Sequence, residues 1–243
     1  MHAPQIYDRI GIGYHATRRP DPRIAAAILD ALGSAQTVVN IGAGAGSYEP
    51  ADRRVIAVEP SATMIRQWPF GSAPAVQASA MDLPFADSSF QAAMAVLTIH
   101  HWPERDRGLA EMRRVSGRSV ILTWEPAPTP FWLTTDYFPE ILEHDRKIFS
   151  PWFREPALRS TVRTIPIPHD CVDGFLCAYW RRPQAYLDPM VRRGISSFAR
   201  IADIEMGLSQ LRKDLADGTW HCRNAGLLDQ KEVDFGYRLI VLE

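Results

Sequence analysis

The sequence has little of the features that direct a chain to a membrane, an oxidising compartment or a nucleic acid. Its three cysteines form no CxxC pair, so neither a disulfide framework nor a zinc site is expected. No apolar run approaches the roughly 20 residues that span a bilayer, and the opening MHAPQIYDRIG lacks the charged-then-apolar layout of a signal peptide. A formal net charge of -1 gives no general attraction to nucleic acid. We therefore expect a cytoplasmic protein with a small-molecule substrate and no metal, nucleic-acid or membrane partner.

The sequence does contain enough apolar residues, 46% of 243, for one large domain over residues 1–243. Four short runs rich in β-branched residues, TVVNIG, RRVIAVE, AAMAVLTI and RSVILTWE, are typical of parallel strands buried on both faces. Helical patterns lie between most of them, in SATMIRQW and PERDRGLAEMRRVS. Before the first run, an Asp21 cap and a Gly33 stop predict a helix over 22–32. This alternation predicts a doubly wound α/β sheet.

The alternation stops after Pro126. Residues 127–160 are rich in proline and aromatic residues, and we expect them to form a lid or a pocket wall. Strand character returns at TVRTIPIP and again in the final VDFGYRLIVLE, with helical patterns between them. Residues 161–243 are therefore expected to supply the last strands and the substrate side.

Three glycines follow the first predicted strand, at positions 42, 44 and 46, and a lone acid, Glu59, ends the second. Residues without a Cβ permit positive φ and let a ligand approach the main chain. A carboxylate at the end of the second strand can accept both hydroxyls of a ribose. The dinucleotide fingerprint GxGxxG would need glycine at position 47, where Ser47 stands. The pattern predicts a site for an adenosine-containing ligand.

These segments resemble the class I S-adenosylmethionine-dependent methyltransferases, in particular the small-molecule group called methyltransferase type 11. The likeness is carried by VVNIGAGAG, VIAVEPSATMI, ASAMDLPFADSSFQAAMAVLTIHHW and EMRRVSGRSVILTWEP, within about residues 36–126. It implies a Rossmann-like fold with a seven-stranded, mostly parallel sheet and a lid or cap inserted after the fifth strand. It also implies S-adenosyl-L-methionine as the cofactor, held by residues 20–126 and covered by a leader formed by residues 1–19.

The resemblance also assigns roles to residues at the cofactor. The glycines would pass under the methionine and ribose moieties, Glu59 would hold the ribose hydroxyls, and the cofactor's carboxylate would meet Tyr14 and Arg18. The residues expected at the cofactor are Tyr14, Arg18, Asn40, Gly42, Ala43, Gly44, Gly46, Glu59, Pro60, Met64, Ser79, Ala80, Met81, Leu97 and Thr98.

Three features depart from the family's usual pattern. The family usually has an acid where Asn40 stands, and that acid helps to orient the methionine ammonium, whereas Asn40 offers a neutral carbonyl. Ser79 replaces the usual Asp that accepts from the adenine amino group. The segment SYEPAD is too short for the helix that normally joins the first two strands, so we expect a minimal turn there and a thinly covered sheet face.

Candidate residues for the chemistry follow the fourth strand and lie in the C-terminal half. His101, and after it His100, are the candidate bases, and the alternative is that both only shape the loop. Aromatic walls with a few polar groups suit a planar or partly apolar substrate. The residues expected to bind it are Trp132, Tyr137, His169, Tyr179, Trp180 and Arg181, although aromatic stripes at helical spacing are more often core.

The expected activity is methyl transfer to a small organic molecule, which makes the chain an enzyme of class EC 2.1.1, as a monomer or homodimer. Only three of its 27 basic residues are lysine, an arginine bias typical of a GC-rich bacterial genome. Oxygen, nitrogen and carbon acceptors all stay open. One alternative is a cofactor-binding member that does not methylate, such as a pericyclase-like catalyst or a regulatory subunit. The other is a nicotinamide-dependent oxidoreductase, which Ser47 disfavours.

Overall fold

The computed structural model describes residues 17–68, 71–126, 129–149, 151–155 and 158–243. Its centre is a seven-stranded sheet of order β3-β2-β1-β4-β5-β9-β6, and a separate pair, β7 and β8, is antiparallel. The strands are β1 Thr37–Ile41, β2 Arg54–Val58, β3 Ala75–Val76, β4 Ala92–Val96, β5 Ser119–Trp124, β6 Ser160–Thr164, β7 Ile167–Pro168, β8 Glu232–Val233 and β9 Tyr237–Leu242.

Helices cover both faces of this sheet. They are α1 Pro22–Leu32, α2 Ala62–Ile65, α3 Arg105–Val115, α4 Pro139–Ile148, α5 Pro189–Arg193, α6 Glu205–Ala216, α7 Thr219–Arg223 and α8 Ala225–Leu228. Short 3-10 turns occur at Ile99–His101, Trp152–Arg154, Pro183–Leu187 and Phe198–Arg200, and a π-helical turn at Leu133–Tyr137.

The strands β1 to β5 are parallel, and β9 runs antiparallel between β5 and β6. Side chains of a strand alternate between the two faces, so neighbours such as Val38 and Val39 enter different core clusters. Both clusters are apolar, which is why these strands read as continuous hydrophobic runs. The predicted doubly wound, seven-stranded and mostly parallel sheet is confirmed.

The predicted helix over 22–32 agrees with α1. The Asp21 carboxylate accepts from the Arg23 backbone N–H at 3.0 Å, Pro22 occupies the first helical position, and Gly33 ends the helix at φ 61°. No helix forms between β1 and β2, as the short SYEPAD segment predicts. The Tyr48 ring, which belongs to that connection, is buried in the same core cluster as α1.

The segment expected to form a lid packs into the main core where the structure describes it. Trp132, Leu133 and Phe138 are at most 4% exposed, and the Leu133–Tyr137 turn packs against α4 and α6. The role of residues 127–160 as a lid stays a prediction. Most of the predicted leader, residues 1–16, lies outside the described residues. Within the described ranges, no helix combines the length and apolar character that crossing a bilayer requires.

Gly207 tests the packing of α6 against the Leu133–Tyr137 turn. A Cβ at this position would lie 2.5 Å from Phe138 Cε1 and also press on the Tyr137 carbonyl oxygen, so a methyl group has no room. We expect Gly207→Ala to lower the free energy of unfolding by about 1–3 kcal/mol because of overpacking. The matched control is Gly226→Ala in α8, where a Cβ meets nothing within 4 Å and alanine should raise stability slightly. Urea unfolding measures both, and an equal response of the two variants would contradict this packing.

Candidate functional site

Glycine alternates with alanine in the turn after β1. Gly42, Gly44 and Gly46 have φ values of 69°, 59° and 80°, a region that other residues rarely adopt. The N–H groups of Gly42 and Ala43 both donate to the Val58 carbonyl, at 2.8 and 3.0 Å, and this bends the chain across the end of β2. A Cβ on Gly42 would lie 2.9 Å from the Thr98 Cβ and closer still to its hydroxyl. Glycine at position 42 therefore suits both the positive φ of this turn and its close approach to the Thr98 side chain.

Glu59, directly after β2, faces this turn. Its Oε2 accepts from the Gly44 N–H at 2.9 Å and its Oε1 from the Ser61 N–H at 2.9 Å, and the residue is only 6% exposed. A carboxylate that accepts from two backbone N–H groups is fixed in orientation. Glu59 therefore orders the glycine turn besides presenting negative charge to the space beside it.

The residue that replaces the family's usual acid has an acidic partner. The Asn40 Nδ2 donates to Glu49 Oε1 at 3.1 Å, which directs the amide oxygen of Asn40 away from Glu49. Burial raises the pKa of Glu49, while hydrogen bonds from Asn40 and the Ala73 backbone act to lower it. An acid from the SYEPAD connection thus lies beside Asn40. Sequence reasoning missed Glu49, although the letter E in a connection too short for a helix was a visible signal.

These groups border a cavity of about 290 Å³ at the carboxyl ends of β1, β2 and β4. Every described residue expected at the cofactor lines it except Gly46; they are Arg18, Asn40, Gly42, Ala43, Gly44, Glu59, Pro60, Met64, Ser79, Ala80, Met81, Leu97 and Thr98. Tyr14 lies outside the described residues. Further lining residues that sequence reasoning did not single out are Ala45, Ser47, Tyr48, Val96, Trp102 and Pro103. We call this space the cofactor cleft.

Arg18 closes one side of the cofactor cleft. Its Nε donates to the Asp173 Oδ1 at 2.6 Å, and the Tyr48 hydroxyl donates to the other oxygen of the same carboxylate at 2.8 Å. Asp173 is only 1% exposed, and its ion pair with Arg18 balances the buried negative charge. This network fastens the chain before α1 to the loop after β7.

The rings of the two candidate histidines are in contact, with centroids 3.9 Å apart, but the two residues line different cavities. His101 lines the cofactor cleft, and its Nδ1 lies 3.4 Å from an Arg200 Nη2. Burial, with Arg200 and Arg18 nearby, lowers the pKa of His101 to about 3. Burial first, and then the neighbouring charges, lowers the pKa of His100 well below its usual range. Both imidazoles are therefore neutral near pH 7.

A second cavity adjoins the cofactor cleft and shares Arg18 and Leu97 with it. Leu97 has φ 52°, a strained conformation of the kind found at functional sites. We call the second cavity the inner chamber. Its aromatic walls are Trp124, Phe149, Phe175 and Tyr237, and its polar side chains include His100, Asp145 and Arg200.

None of the six residues expected to bind substrate lines the cofactor cleft or the inner chamber. Trp132 and Trp180 are core residues, joined by a hydrogen bond from the Trp132 indole to the Trp180 carbonyl at 2.9 Å. Tyr137 is buried and donates to Asp214 at 2.8 Å.

The other three lie near the surface. His169 and Tyr179 are partly exposed, and Arg181 donates to the Gln230 carbonyl at 3.3 Å. The aromatic residues among the six serve packing, and the structure brings none of the six to the histidines.

Comparisons with known proteins agree with this geometry. Residues 39–121 match a family model described as a methyltransferase domain. A crystal structure of a candidate methyltransferase from an antibiotic biosynthesis pathway of Anabaena variabilis ATCC 29413 is 34% identical, covers 93% of this chain and 99% of that one, and has a TM-score of 0.86. A SAM-dependent methyltransferase of Thermotoga maritima is 15% identical over 99% of both chains with a TM-score of 0.52, which shows a shared fold.

A curated relative matches a smaller region. The mouse tRNA (carboxymethyluridine(34)-5-O)-methyltransferase ALKBH8 is 29% identical over 132 residues, which is 51% of this chain. The chain spans 20% of the length of that relative.

The pairing of Asn40 with Glu49 predicts that an acid at position 40 is harmful. In Asn40→Asp a carboxylate replaces the amide next to Glu49, and two like charges at this distance raise each other's pKa. A pKa raised above its unfolded value gives stability at low pH that is lost as pH rises. We therefore expect the variant to be near wild type at pH 5 and less stable by about 1–3 kcal/mol at pH 8. Urea unfolding at the two pH values measures this.

The control is the double variant Asn40→Asp with Glu49→Gln, which restores one amide facing one carboxylate with the roles exchanged. It should recover the stability at pH 8. An Asn40→Asp variant that keeps wild-type stability at pH 8 would show that Glu49 does not depend on the Asn40 amide.

Proposed function

This chain belongs to the class I S-adenosylmethionine-dependent methyltransferases, and we propose that it transfers the cofactor's methyl group to a small organic acceptor. The observation that carries the proposal is the cofactor cleft, where the glycine turn, Glu59 and His101 border one space. We further propose that it acts on a metabolite in the bacterial cytoplasm, as an enzyme of class EC 2.1.1.

The cleft fits S-adenosylmethionine in shape and charge. The glycine turn leaves main chain uncovered where the cofactor would lie. Met64 packs against this turn, because the Met64 Cε lies 3.5 Å from the position of a Cβ on Gly44. Glu59 is fixed by two backbone N–H groups and could accept the ribose hydroxyls. The Asn40 oxygen, with Glu49 behind it, is suited to the methionine ammonium. Ser79, Ala80 and Met81 would border the adenine.

When bound, the cofactor supplies a methyl group on a positively charged sulfur, which is an excellent leaving group. The protein then contributes mainly position, alignment and the exclusion of water. Leu97 and Thr98, at the end of β4, would border the methionine end of the cofactor, and Leu97 also borders the inner chamber. The acceptor would therefore approach from the inner chamber, which shares this boundary with the cleft.

His101 is better suited to donate a hydrogen bond than to act as a base. Arginine is always a donor, so the contact from Arg200 requires the Nδ1 of His101 to accept and leaves the hydrogen on Nε2. A low pKa also makes this imidazole a weak base. We propose that His101 positions the acceptor, and that the acceptor's own proton, where it has one, leaves by another route.

The sheet disfavours the nicotinamide alternative. In the classic dinucleotide fold all six strands are parallel, in the order 3-2-1-4-5-6. Here the antiparallel β9 is inserted between β5 and β6. A cofactor-binding member that does not methylate would have the same sheet, and only an assay of transfer separates that alternative from the proposal.

Binding and transfer test the proposed function together. S-adenosylhomocysteine should raise the melting temperature while NAD leaves it unchanged. Labelled S-adenosylmethionine should then mark a compound in bacterial metabolite extracts. Binding without any labelled product across extracts would favour the non-methylating alternative, and an effect of NAD alone would overturn the proposal.

Glu59→Ala should weaken S-adenosylmethionine binding by about tenfold to a hundredfold, because it removes the proposed charge-assisted bonds to the ribose. The matched control is Glu111→Ala. Glu111 also accepts from a backbone N–H, that of Leu83 at 2.8 Å, but it does not line the cofactor cleft. Isothermal titration calorimetry measures both affinities, and equal losses would mean that Glu59 acts only by ordering the turn.

The state of His101 predicts a flat pH profile. With a pKa of about 3 it does not titrate between pH 5 and 8, so single-turnover rates should show no inflection from it there. His101→Gln keeps an N–H donor and should retain the rate within about tenfold, whereas loss of a general base costs about 10²–10⁴-fold. His221→Gln, at an exposed position in α7, is the control. A rate that falls below about pH 6.5 in the wild type alone would restore the base role.

A further inference from the structure

The inner chamber contains a buried carboxylate that the fold does not satisfy. Asp145 lies on α4, is 6% exposed and lines the chamber. Across the described ranges, no residue donates a hydrogen bond to its carboxylate or forms a salt bridge with it. Burial raises its pKa to about 7, and the charge of Arg200 acts in the opposite direction. A buried carboxylate without a partner is costly, so a ligand that supplies the missing donor would be stabilised there.

His100 also lines the chamber, and one of its ring nitrogens is unsatisfied. Its Nδ1 is buried and finds no hydrogen-bond partner in the part of the chain that the structure describes. The imidazole is neutral because burial and the nearby Arg200 lower its pKa. A neutral imidazole has one nitrogen that accepts. Asp145 is thus the acceptor that a ligand with N–H bonds could satisfy, and a neutral imidazole lies on the same chamber wall.

The walls of the chamber favour a flat, apolar body attached to that donor. The Trp124 and Phe149 rings are 4.9 Å apart, and Phe149 also faces the His100 ring at 4.7 Å. On the opposite side, the Phe175 and Tyr237 rings are 4.7 Å apart. Aromatic faces attract rings and also cations. Two aromatic pairs around one carboxylate are a suitable environment for an aromatic amine ligand.

The remaining charges leave this carboxylate available. Arg18 is engaged by Asp173, outside the aromatic walls. Arg200 is directed at His101 and makes no salt bridge with Asp145 within the described residues. An ammonium group would therefore meet Asp145 as its counter-charge, while the positive charge of Arg200 opposes it.

We propose that the inner chamber is the acceptor site and that it selects small aromatic compounds carrying an amine, whose N–H groups are held by Asp145. This inference rests on the proposed methyl transfer, since the chamber adjoins the end of the cofactor cleft at Leu97. The amine is the anchor of the acceptor, and the inference does not require it to be the atom that is methylated.

The test compares three probes of the same shape, phenethylamine, 2-phenylethanol and 3-phenylpropanoate, bound to the full chain saturated with S-adenosylhomocysteine. Ligand-observed NMR measures binding at pH 8. This pH is above the pKa of Asp145 and below that of an alkylamine, about 10 as in lysine, so the carboxylate and the ammonium are both charged. We expect the amine to bind more tightly than the alcohol and the carboxylate to bind least. Tightest binding of the carboxylate would make Arg200 the anchor and overturn the proposal, as would binding of none of the three.

Asp145→Asn identifies the anchor. We expect it to weaken phenethylamine at least about tenfold, because a hydrogen bond to a charged group is lost. Affinity for S-adenosylhomocysteine should not change, because Asp145 does not line the cofactor cleft. The urea midpoint should be unchanged or higher, because an unpaired buried charge is removed. A lower midpoint with unchanged amine affinity would assign Asp145 a structural role and overturn the proposal.

The matched control is Glu143→Gln, which removes the same charge from the exposed side of the same helix. It should leave amine affinity unchanged, and an equal loss in both variants would overturn the proposal in favour of a general electrostatic attraction. Failure of the proposed function and failure of the acceptor site give different results. If S-adenosylhomocysteine does not bind the wild type, the proposed function fails, whereas if it binds and the amine does not, the acceptor site alone fails.

Discussion

The arrangement of this site depends on the close approach of β1 and β4 at their carboxyl ends. Gly42 has no Cβ, so the backbone can turn directly against Thr98 and can donate to the Val58 carbonyl at the end of β2. Three strands are thereby joined at one point. Glu59, Asn40 and Leu97 each lie within two residues of that point, and their positions follow from it. A side chain at position 42 would press on the Thr98 side chain, and its backbone would be strained at φ 69° whatever the space.

Charge in the cleft is placed by tertiary contacts as much as by position in the sequence. The family's usual acid is missing from β1, but Glu49 lies beside Asn40 because the β1–β2 connection contains no helix and returns at once to the sheet. The Asn40 side-chain amide donates its N–H to Glu49 and directs its oxygen away from that carboxylate. Replacing a charged group by a neutral one at a binding surface then need not remove the charge, only move it away from the ligand.

The sequence predicted what depends on local pattern. The cap at Asp21, the buried strands and the glycine turn are local, and each was found where its pattern indicated. Most residues predicted at the cofactor line one cleft because the carboxyl ends of parallel strands share one edge of the sheet. The lining of the inner chamber does not follow, because Asp145 and Arg200 come from separate elements and only packing brings them to one cavity. Trp132 and Trp180 were expected to bind substrate but lie in the core. A large aromatic side chain is equally typical of a core and of a pocket wall, and the sequence alone does not separate the two.

The two cavities differ in how their polar groups are satisfied, and that difference separates a preformed site from one completed by its ligand. In the cofactor cleft, Glu59 and Arg18 have partners within the protein, so the site is rigid before the cofactor arrives. In the inner chamber, the Asp145 carboxylate and the His100 Nδ1 have none among the described residues, and this destabilises the fold. Buried polar groups without a hydrogen-bond partner are found at functional sites because a bound ligand can supply the missing hydrogen bond. The polar groups of the cleft are held mainly by backbone N–H groups and a buried ion pair, whereas in the inner chamber the Asp145 carboxylate is left for a ligand to satisfy under the proposal above.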